Sequence, residues 1–253
     1  MRKVEKDLSV VPESLNSTAN LKRNSVITQK KYPKKKKKVD EQYKKDDTKN
    51  LLIQIYHNKC AYCEEKLLQV IPQNVKLPDE TSTIDHYRPK NKYYWLAFSW
   101  DNLLLCCHRC GNSKLSKFEI LNLKVNYSKS FDRKIHRSTK LYNRLECPKM
   151  VHPELEDVMG KLIFDIKGNI SSPDDRIQYT IDCCKLDREY LITERKDVYD
   201  KFKKKLDDAI AQENLELFDS IVLKFKENSE NMDNEFIAFR VWTLKWMLEN
   251  FSS

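Results

Sequence analysis

The stretch that decides the fold opens with Cys60-Ala61-Tyr62-Cys63 and closes with Cys107-His108-Arg109-Cys110-Gly111-Asn112-Ser113-Lys114. Structural zinc takes four cysteine or histidine ligands in a tetrahedron, and two Cys-x-x-Cys pairs supply such a set. Buried reduced thiols are the alternative interpretation, but two equal spacings in one region disfavour it. We therefore expect one Zn²⁺ ion to stabilise this region, with the ligands Cys60, Cys63, Cys107 and Cys110.

Polar residues lie at the junctions of the segments between the two cysteine pairs. The β-branched run at 81–84 predicts a strand that leads into Asp85-His86. The apolar run at 103–106, directly after Asn102, predicts a buried second strand. A helix-compatible segment opens at Asn112. The expected order is strand, loop, strand and helix, with a candidate functional side chain at each junction.

This order of elements and residues resembles the HNH endonuclease family, whose nuclease core is a ββα-metal fold. The resemblance implies that His86 is the general base that takes a proton from the attacking water. It also implies that Asp85 is a ligand of the catalytic metal and that Asn102 orients the histidine ring or its loop. A base with a pKa near neutrality suits water activation at physiological pH, which is a role that histidine fills.

The sequence departs from the family pattern at the second ligand of the catalytic metal. Many family members place Asn or His directly after the second cysteine pair, whereas this chain has Gly111 there and Asn112 one position later. Because one residue rotates a helix by about 100°, Asn112 requires a local shift to reach the metal, and His108 is the alternative ligand. The implied cofactor is Mg²⁺, or Mn²⁺, held by a carboxylate and a side-chain carbonyl. The zinc is expected to be structural, because four thiolates leave it no open position.

The chain is basic, with 253 residues, a formal net charge of +9 and a pI of about 9.0. A positive surface favours a polyanionic partner, and DNA is the partner expected of a nuclease of this kind. The densest charge run, at 30–38, is interpreted either as a phosphate-binding patch or as a solvated loop. The predicted DNA-binding residues are Lys34, Lys35, Lys36, Lys37, Lys38, Arg88, Lys90 and Lys114.

Cysteine usage and hydropathy bear on the location of the protein. The chain has eight cysteines, of which the zinc site explains four, and a reducing compartment preserves zinc thiolates. The first residues lack the apolar segment of a signal peptide. No run of about 18 apolar residues occurs, so no membrane-spanning segment is expected. These observations predict a cytoplasmic protein.

Outside the central stretch, the patterns predict a mostly helical chain of the α+β class. Residues 1–29 are interpreted as an extended arm, residues 40–59 as a helix and residues 118–160 as irregular structure. Residues 161–171 predict a hairpin whose turn contains Gly168, and helices follow from Asp175 to the end. An aromatic stripe in the last helix is expected to lie in the core; it consists of Phe236, Phe239, Trp242 and Trp246.

The predicted organisation has three parts. Residues 1–50 form a basic N-terminal arm, and residues 51–125 form the nuclease core with its zinc knuckle. Residues 126–253 form a hairpin followed by a helical C-terminal region that packs with the core.

Four further motifs narrow the resemblance; they are Lys59-Cys-Ala-Tyr-Cys-Glu64, Asp85-His-Tyr-Arg-Pro-Lys90, Tyr94-Trp-Leu-Ala97 and Asn102-Leu-Leu-Leu105. They resemble the HNH nucleases of the Septu antiphage defence systems, which are also found as retron effectors. The resemblance implies DNA cleavage regulated by a partner ATPase of the ABC/SMC type, and in retrons a reverse transcriptase with its RNA–DNA product. The alternatives are a non-catalytic, zinc-stabilised module that binds nucleic acid, and an adaptor whose helical half docks an ATPase.

Overall fold

The structure, a computed structural model, describes residues 1–33, 42–67, 81–130 and 135–251. In chain order the helices and strands are α1 (Glu13–Thr28), α2 (Asp46–Ile55), β1 (Ser82–His86), β2 (Leu103–Cys107), α3 (His108–Lys114), α4 (Thr139–Glu146), β3 (Ile163–Phe164), β4 (Ile170–Ser171), α5 (Asp175–Cys184), α6 (Glu189–Ala211), α7 (Leu215–Glu230) and α8 (Ile237–Phe251). Across the described part of the chain the fold is therefore α+β, mostly helical, with two small sheets, as predicted.

The first sheet pairs β1 with β2 in antiparallel fashion, with His86 opposite Leu103 and Ser82 opposite Cys107. Both strands overlap the predicted runs, but β1 extends to His86, so Asp85 and His86 lie within the strand. The helix predicted to open at Asn112 begins earlier, at His108, and ends at Lys114. All five residues of β2 are buried, which fits its uninterrupted apolar sequence. Helix α3 begins directly after β2, so the order along the chain is strand, strand and helix.

The N-terminal segment was predicted to be an extended arm, and that prediction is wrong. Residues Glu13–Thr28 form α1, and its side chains Leu15 and Val26 are buried in the core. Asp47, in the first turn of α2, accepts a 2.9 Å hydrogen bond from the backbone N–H of Ser14. The abundant Ser, Thr and Asn have low helix propensity, but burial of one apolar face against the core outweighs it.

The segment at 118–160 was predicted to be irregular, and it contains the short helix α4. Two of its side chains, Tyr142 and Glu146, are completely buried. With eight residues, α4 is too short to be stable alone and forms through these tertiary contacts.

The predicted hairpin is present as β3 and β4, with Phe164 opposite Ile170. Its turn contains Gly168 at φ +88°, where a Cβ atom would lie 2.2 Å from the carbonyl oxygen of Ile192. A glycine is required here both by the backbone conformation and by the closeness of α6.

The predicted C-terminal helices are present as α5 to α8. The aromatic stripe of the last helix packs in the core as expected: Phe239 stacks on Trp242 with ring centroids 5.7 Å apart. Trp242 in turn stacks on Trp246 at 6.3 Å, and Phe164 of the hairpin meets Phe239 edge-on. Within the described residues, no helix is both long and apolar enough to cross a membrane.

Candidate metal centres and active site

The four predicted zinc ligands converge, because their sulfur atoms all lie within 4.8 Å of one another and all four residues are buried. A tetrahedron with Zn–S bonds of about 2.3 Å separates its sulfurs by about 3.8 Å, and the Sγ atoms of Cys63 and Cys107 are 3.8 Å apart. The donor set therefore fits a tetrahedral Zn²⁺ ion. No other group of three or more His, Cys, Asp or Glu ligands this close is found in the described part of the chain.

Three elements bring these cysteines together. Cys60 and Cys63 lie in the turn after α2, and this turn is tied to β2 by a 2.9 Å hydrogen bond from Ala61 N–H to the carbonyl of Leu105. Cys107 ends β2 and caps α3, where its sulfur accepts a hydrogen bond from the N–H of Cys110 at 3.3 Å. Hydrogen bonds from the other three cysteines lower the pKa of Cys107, which favours the thiolate that zinc requires.

A cavity of about 350 Å³ opens beside this site, between β1 and α3. Among its lining residues are four of the predicted functional side chains, Asp85, His86, His108 and Asn112. Gly111 lies on its wall, where an added Cβ would be 3.5 Å from Thr83. The structure therefore places the candidate base and the candidate metal ligands around one space.

His86 is 6% exposed, and its Nε2 lies 2.9 Å from the carbonyl oxygen of Ala97. A carbonyl only accepts, so Nε2 carries the proton and the neutral ring keeps its lone pair on Nδ1. Burial, and then the charge of Lys90, lowers the pKa of His86 to about 3. This shift moves the pKa of His86 below the near-neutral range that suits a general base. The imidazole is in its proton-accepting form at physiological pH.

Asp85 is held by two buried donors. Its Oδ2 accepts a 2.8 Å hydrogen bond from the hydroxyl of Tyr62 and forms a 2.9 Å ion pair with Nζ of Lys114. Lys114 also donates to the backbone carbonyl of His86 at 2.7 Å, so one ammonium group fixes both residues of the Asp-His pair. Both contacts are made by Oδ2, one of the two carboxylate oxygens.

Asn102 contacts the loop after His86, not the imidazole ring. Its Oδ1 accepts a 2.7 Å hydrogen bond from the N–H of Arg88, and its Nδ2 donates to the carbonyls of Arg88 and Leu96. The side chain is completely buried, so all of its hydrogen-bonding capacity serves the backbone. This geometry ties the chain that follows His86 to the start of β2.

Asn112 and His108 lie one turn apart on α3, and Asn112 Nδ2 is 3.1 Å from both ring nitrogens of His108. The amide N–H of Asn112 donates to the ring, so these contacts do not involve its Oδ1. Carboxylate, amide and imidazole groups on one cavity form a donor set that Mg²⁺ or Mn²⁺ accepts.

The basic residues predicted to contact DNA fall into three groups. Lys34, Lys35, Lys36, Lys37 and Lys38 lie outside the described residues. Lys90 lines the cavity, with its Nζ bound to the hydroxyl of Tyr43. Arg88 and Lys114 do not fit a DNA contact, because both side chains are completely buried and paired with carboxylates.

Arg88 is instead a structural residue. Its Nε donates to Glu146 at 2.8 Å, with both side chains 0% exposed, and its guanidinium lies within 6 Å of four aromatic rings. We expect Arg88→Met to lower the free energy of unfolding by about 3–5 kcal/mol, because Glu146 is left as an unpaired buried charge.

The measurement is chemical denaturation of the purified protein. The double variant Arg88→Met/Glu146→Met should recover much of the loss, since no charge then remains buried. Arg176→Met is the matched control, because the Arg176–Glu156 pair is partly exposed and should contribute no more than about 1 kcal/mol. Equal losses for Arg88→Met and Arg176→Met would contradict the structural role.

Three residues of these sites were not predicted. Tyr62 lies inside the first Cys-x-x-Cys motif, and this position could have indicated that it belongs to the site. Tyr43 packs its ring edge-on against His86, with centroids 4.6 Å apart. Arg188 of the C-terminal region contacts the zinc-ligand sulfurs, and no motif surrounds it in the sequence.

No protein-family model matches the chain. The chain is 32% identical to the Septu protein PtuB of Bacillus mycoides (strain KBAB4) over 130 residues, which cover 46% of this chain and 41% of that protein. It is 36% identical to the Septu protein PtuB of Bacillus thuringiensis over 66 residues, which cover 25% of this chain and 21% of that protein. The predicted resemblance to the Septu protein PtuB is thus confirmed.

A third match is the Septu protein PtuA of Bacillus mycoides, which is 24% identical over 162 residues. The match covers 58% of this chain and 20% of that protein. The chain therefore spans less than half the length of each of these curated relatives.

Proposed function

We propose that this protein is a metal-dependent DNA endonuclease of the HNH type. The observation that supports it best is the shared cavity, which holds a neutral, proton-accepting His86 beside the carboxylate of Asp85. The chain order of β1, β2 and α3 is the order expected for the ββα-metal core that the family resemblance implies, and it supports the proposal. We keep the predicted boundaries, with an N-terminal segment at 1–50 that contains α1, a nuclease core at 51–125 and a C-terminal region at 126–253.

Each residue of the site then has one role in phosphodiester hydrolysis. His86 Nδ1 accepts the proton of the attacking water, and its Nε2–H bond to Ala97 fixes the ring. Asp85 and Asn112 hold Mg²⁺ or Mn²⁺, with His108 as the alternative to Asn112. When bound, the cation supplies a positive charge for the developing phosphorane and the leaving oxygen. Asn102 keeps the loop after His86 in place, and the zinc bound by the four cysteines is structural.

We assign the contacts to DNA to Lys90 and to the lysine run at 34–38. Lys90 lines the cavity, and the run Lys34–Lys38 precedes α2 in sequence. Phosphate contacts of this type supply sequence-independent affinity that weakens as salt rises. The formal charge of +9 favours the same substrate.

The similarity to PtuB and PtuA supports a role in a Septu antiphage defence system, in which this chain is the nuclease. The partner proposed from the family resemblance is a PtuA-like ATPase of the ABC/SMC type that regulates cleavage. In a retron context a reverse transcriptase with its RNA–DNA product joins the assembly. Cleavage of invading DNA by such a system takes place in the cytoplasm.

The test is a plasmid-nicking assay on the purified protein, alone and with its PtuA-like partner. Cleavage in Mg²⁺ that EDTA abolishes, and that Mg²⁺ restores, supports the proposal. DNA binding with no cleavage under any of these conditions supports the alternative, a zinc-stabilised binding module. A protein that binds only the ATPase supports the adaptor role.

The position of Asn112 on the cavity gives a more specific prediction about the second metal ligand. Asn112→Ala should raise the Mg²⁺ concentration needed for half-maximal nicking, because the cation loses an oxygen ligand. His108→Ala should have a smaller effect in the same direction, because His108 then only orients the amide. The measurement is nicking rate against Mg²⁺ concentration, with zinc content determined in each variant. If Asn112→Ala nicks DNA with the wild-type Mg²⁺ dependence, whereas His108→Ala retains its zinc but is inactive, then His108 is the second metal ligand.

A further inference from the structure

Arg188, at the N-cap position of α6, reaches the four-cysteine site from the C-terminal region. Its Nη1 lies 3.4 Å from the sulfur of Cys110. Its Nη2 lies 3.8 Å from that of Cys63 and 3.9 Å from that of Cys107. One guanidinium group therefore donates toward three of the four sulfurs.

The charge around the site explains why a cation is needed there. Four thiolates on one Zn²⁺ ion carry a net charge of −2, and the carboxylate of Glu65 lies 3.8 Å from the sulfur of Cys63. The side chains of Glu65 and Arg188 are only 5% and 9% exposed, and their charged groups are 3.6 Å apart. Buried negative charge of this size is costly unless a cation offsets it.

We infer that Arg188 is a positioning residue of the zinc site, which stabilises the bound thiolates by N–H···S hydrogen bonds and charge. This inference rests on the proposed structural zinc and is independent of nuclease activity. Hydrogen bonds to a metal-bound thiolate reduce its tendency to react or dissociate. Because Arg188 begins α6, the same contacts attach the C-terminal helices to the zinc site.

Glu64, the residue before Glu65, also contacts the C-terminal region. Glu64 accepts a hydrogen bond from the backbone N–H of Ala238, near the start of α8, at 3.0 Å. The turn that carries Cys60 and Cys63 is therefore attached to both α6 and α8. Of these two attachments, only the one made by Arg188 involves direct contacts with the cysteine sulfurs.

The experiment compares full-length Arg188→Met and Arg188→Lys with Arg144→Met, which removes an exposed arginine of α4. Zinc affinity is measured by competition with a chromophoric chelator, and thiolate reactivity by the rate of alkylation with iodoacetamide. Arg188→Met should bind zinc about 10–100-fold more weakly and react faster with iodoacetamide. Arg188→Lys keeps the charge but not the planar fork, so its losses should be smaller. Arg144→Met should match wild type.

Wild-type zinc affinity and alkylation rate in folded Arg188→Met would overturn the inference. If that variant is insoluble, Arg188→Lys decides: weaker zinc binding supports the role, and unchanged binding and reactivity refute it. Wild-type protein that folds without zinc also refutes it. Magnesium-dependent nicking by the same samples reports separately on the nuclease proposal, so the two failures can be told apart.

Discussion

Replacing Cys107 by serine is expected to give a protein that retains no zinc and lacks native packing. A structural zinc site contributes an apparent binding free energy of about 10–16 kcal/mol, which is as large as the whole stability of a typical domain, about 5–15 kcal/mol. Cys107 also ends β2 and caps α3 through the N–H of Cys110. Its loss therefore disturbs the junction between β2 and α3, the helix that carries His108 and Asn112 on the cavity.

The measurements are zinc content by elemental analysis, far- and near-ultraviolet circular dichroism, and the unfolding transition. Two controls separate the loss of a ligand from the loss of a thiol. Cys106→Ser changes a buried thiol outside the zinc-binding group, so it should be less stable but keep its zinc. Cys147→Ser changes an exposed thiol and should resemble wild type. Native spectra and a cooperative transition in zinc-free Cys107→Ser would refute a structural zinc.

The convergence of the four cysteines could be predicted because the spacing within each pair sets the geometry of its chelate loop. The strands could be predicted because β1 contains the β-branched Thr83 and Ile84 and β2 is an uninterrupted apolar run. Helix α1 could not, since its polar residues have weak helix propensity and its stability comes from the burial of Leu15 and Val26 in the core. Local sequence contains no information on that packing.

The basic residues show the same limit. Arg88 was predicted to contact DNA. In the structure aromatic rings surround Arg88, and its carboxylate partner Glu146 is 58 residues away in the chain. Only the tertiary structure distinguishes a buried arginine of this kind from one that faces a phosphate.

The candidate site was predictable in its residue types but not in its electrostatics. The Asp-His pair and the residues of α3 were identified by motif, and they do line one cavity. The pairing of Asp85 with Lys114 and the lowered pKa of His86 depend on how deeply β1 is buried. The motif therefore indicates which side chains meet, whereas packing determines their protonation states and partners.

Replacing His86 by alanine is expected to lower the DNA-nicking rate by about 10²–10⁴-fold, the usual cost of losing a general acid–base group. Zinc content and DNA affinity should change little, because the imidazole acts on a water molecule and contacts no zinc ligand. His86→Asn is the companion variant, since its amide can donate to the carbonyl of Ala97 but cannot accept a proton from water. It should be as inactive as His86→Ala while it preserves that buried hydrogen bond.

Two controls test the role of the neighbouring Asp85 carboxylate and the effect of removing a histidine outside the site. Asp85→Asn keeps an acceptor for Lys114 but loses the carboxylate, so it should cleave poorly and require more Mg²⁺. Asp85→Ala is less informative, because it leaves the buried Lys114 ammonium without its partner and destabilises the site. His57→Ala removes an exposed imidazole and should cleave at the wild-type rate.

Rates are measured from supercoiled plasmid at saturating Mg²⁺, with DNA affinity determined separately in EDTA so that binding and cleavage are distinguished. If His86→Ala and His86→Asn cut as fast as wild type, His86 is not the base. The nuclease proposal then fails at its central residue, and a zinc-stabilised DNA-binding module accounts better for the chain. If both variants bind DNA normally but do not cut it, the loss lies in water activation, which is the step that His86 Nδ1 is positioned to serve.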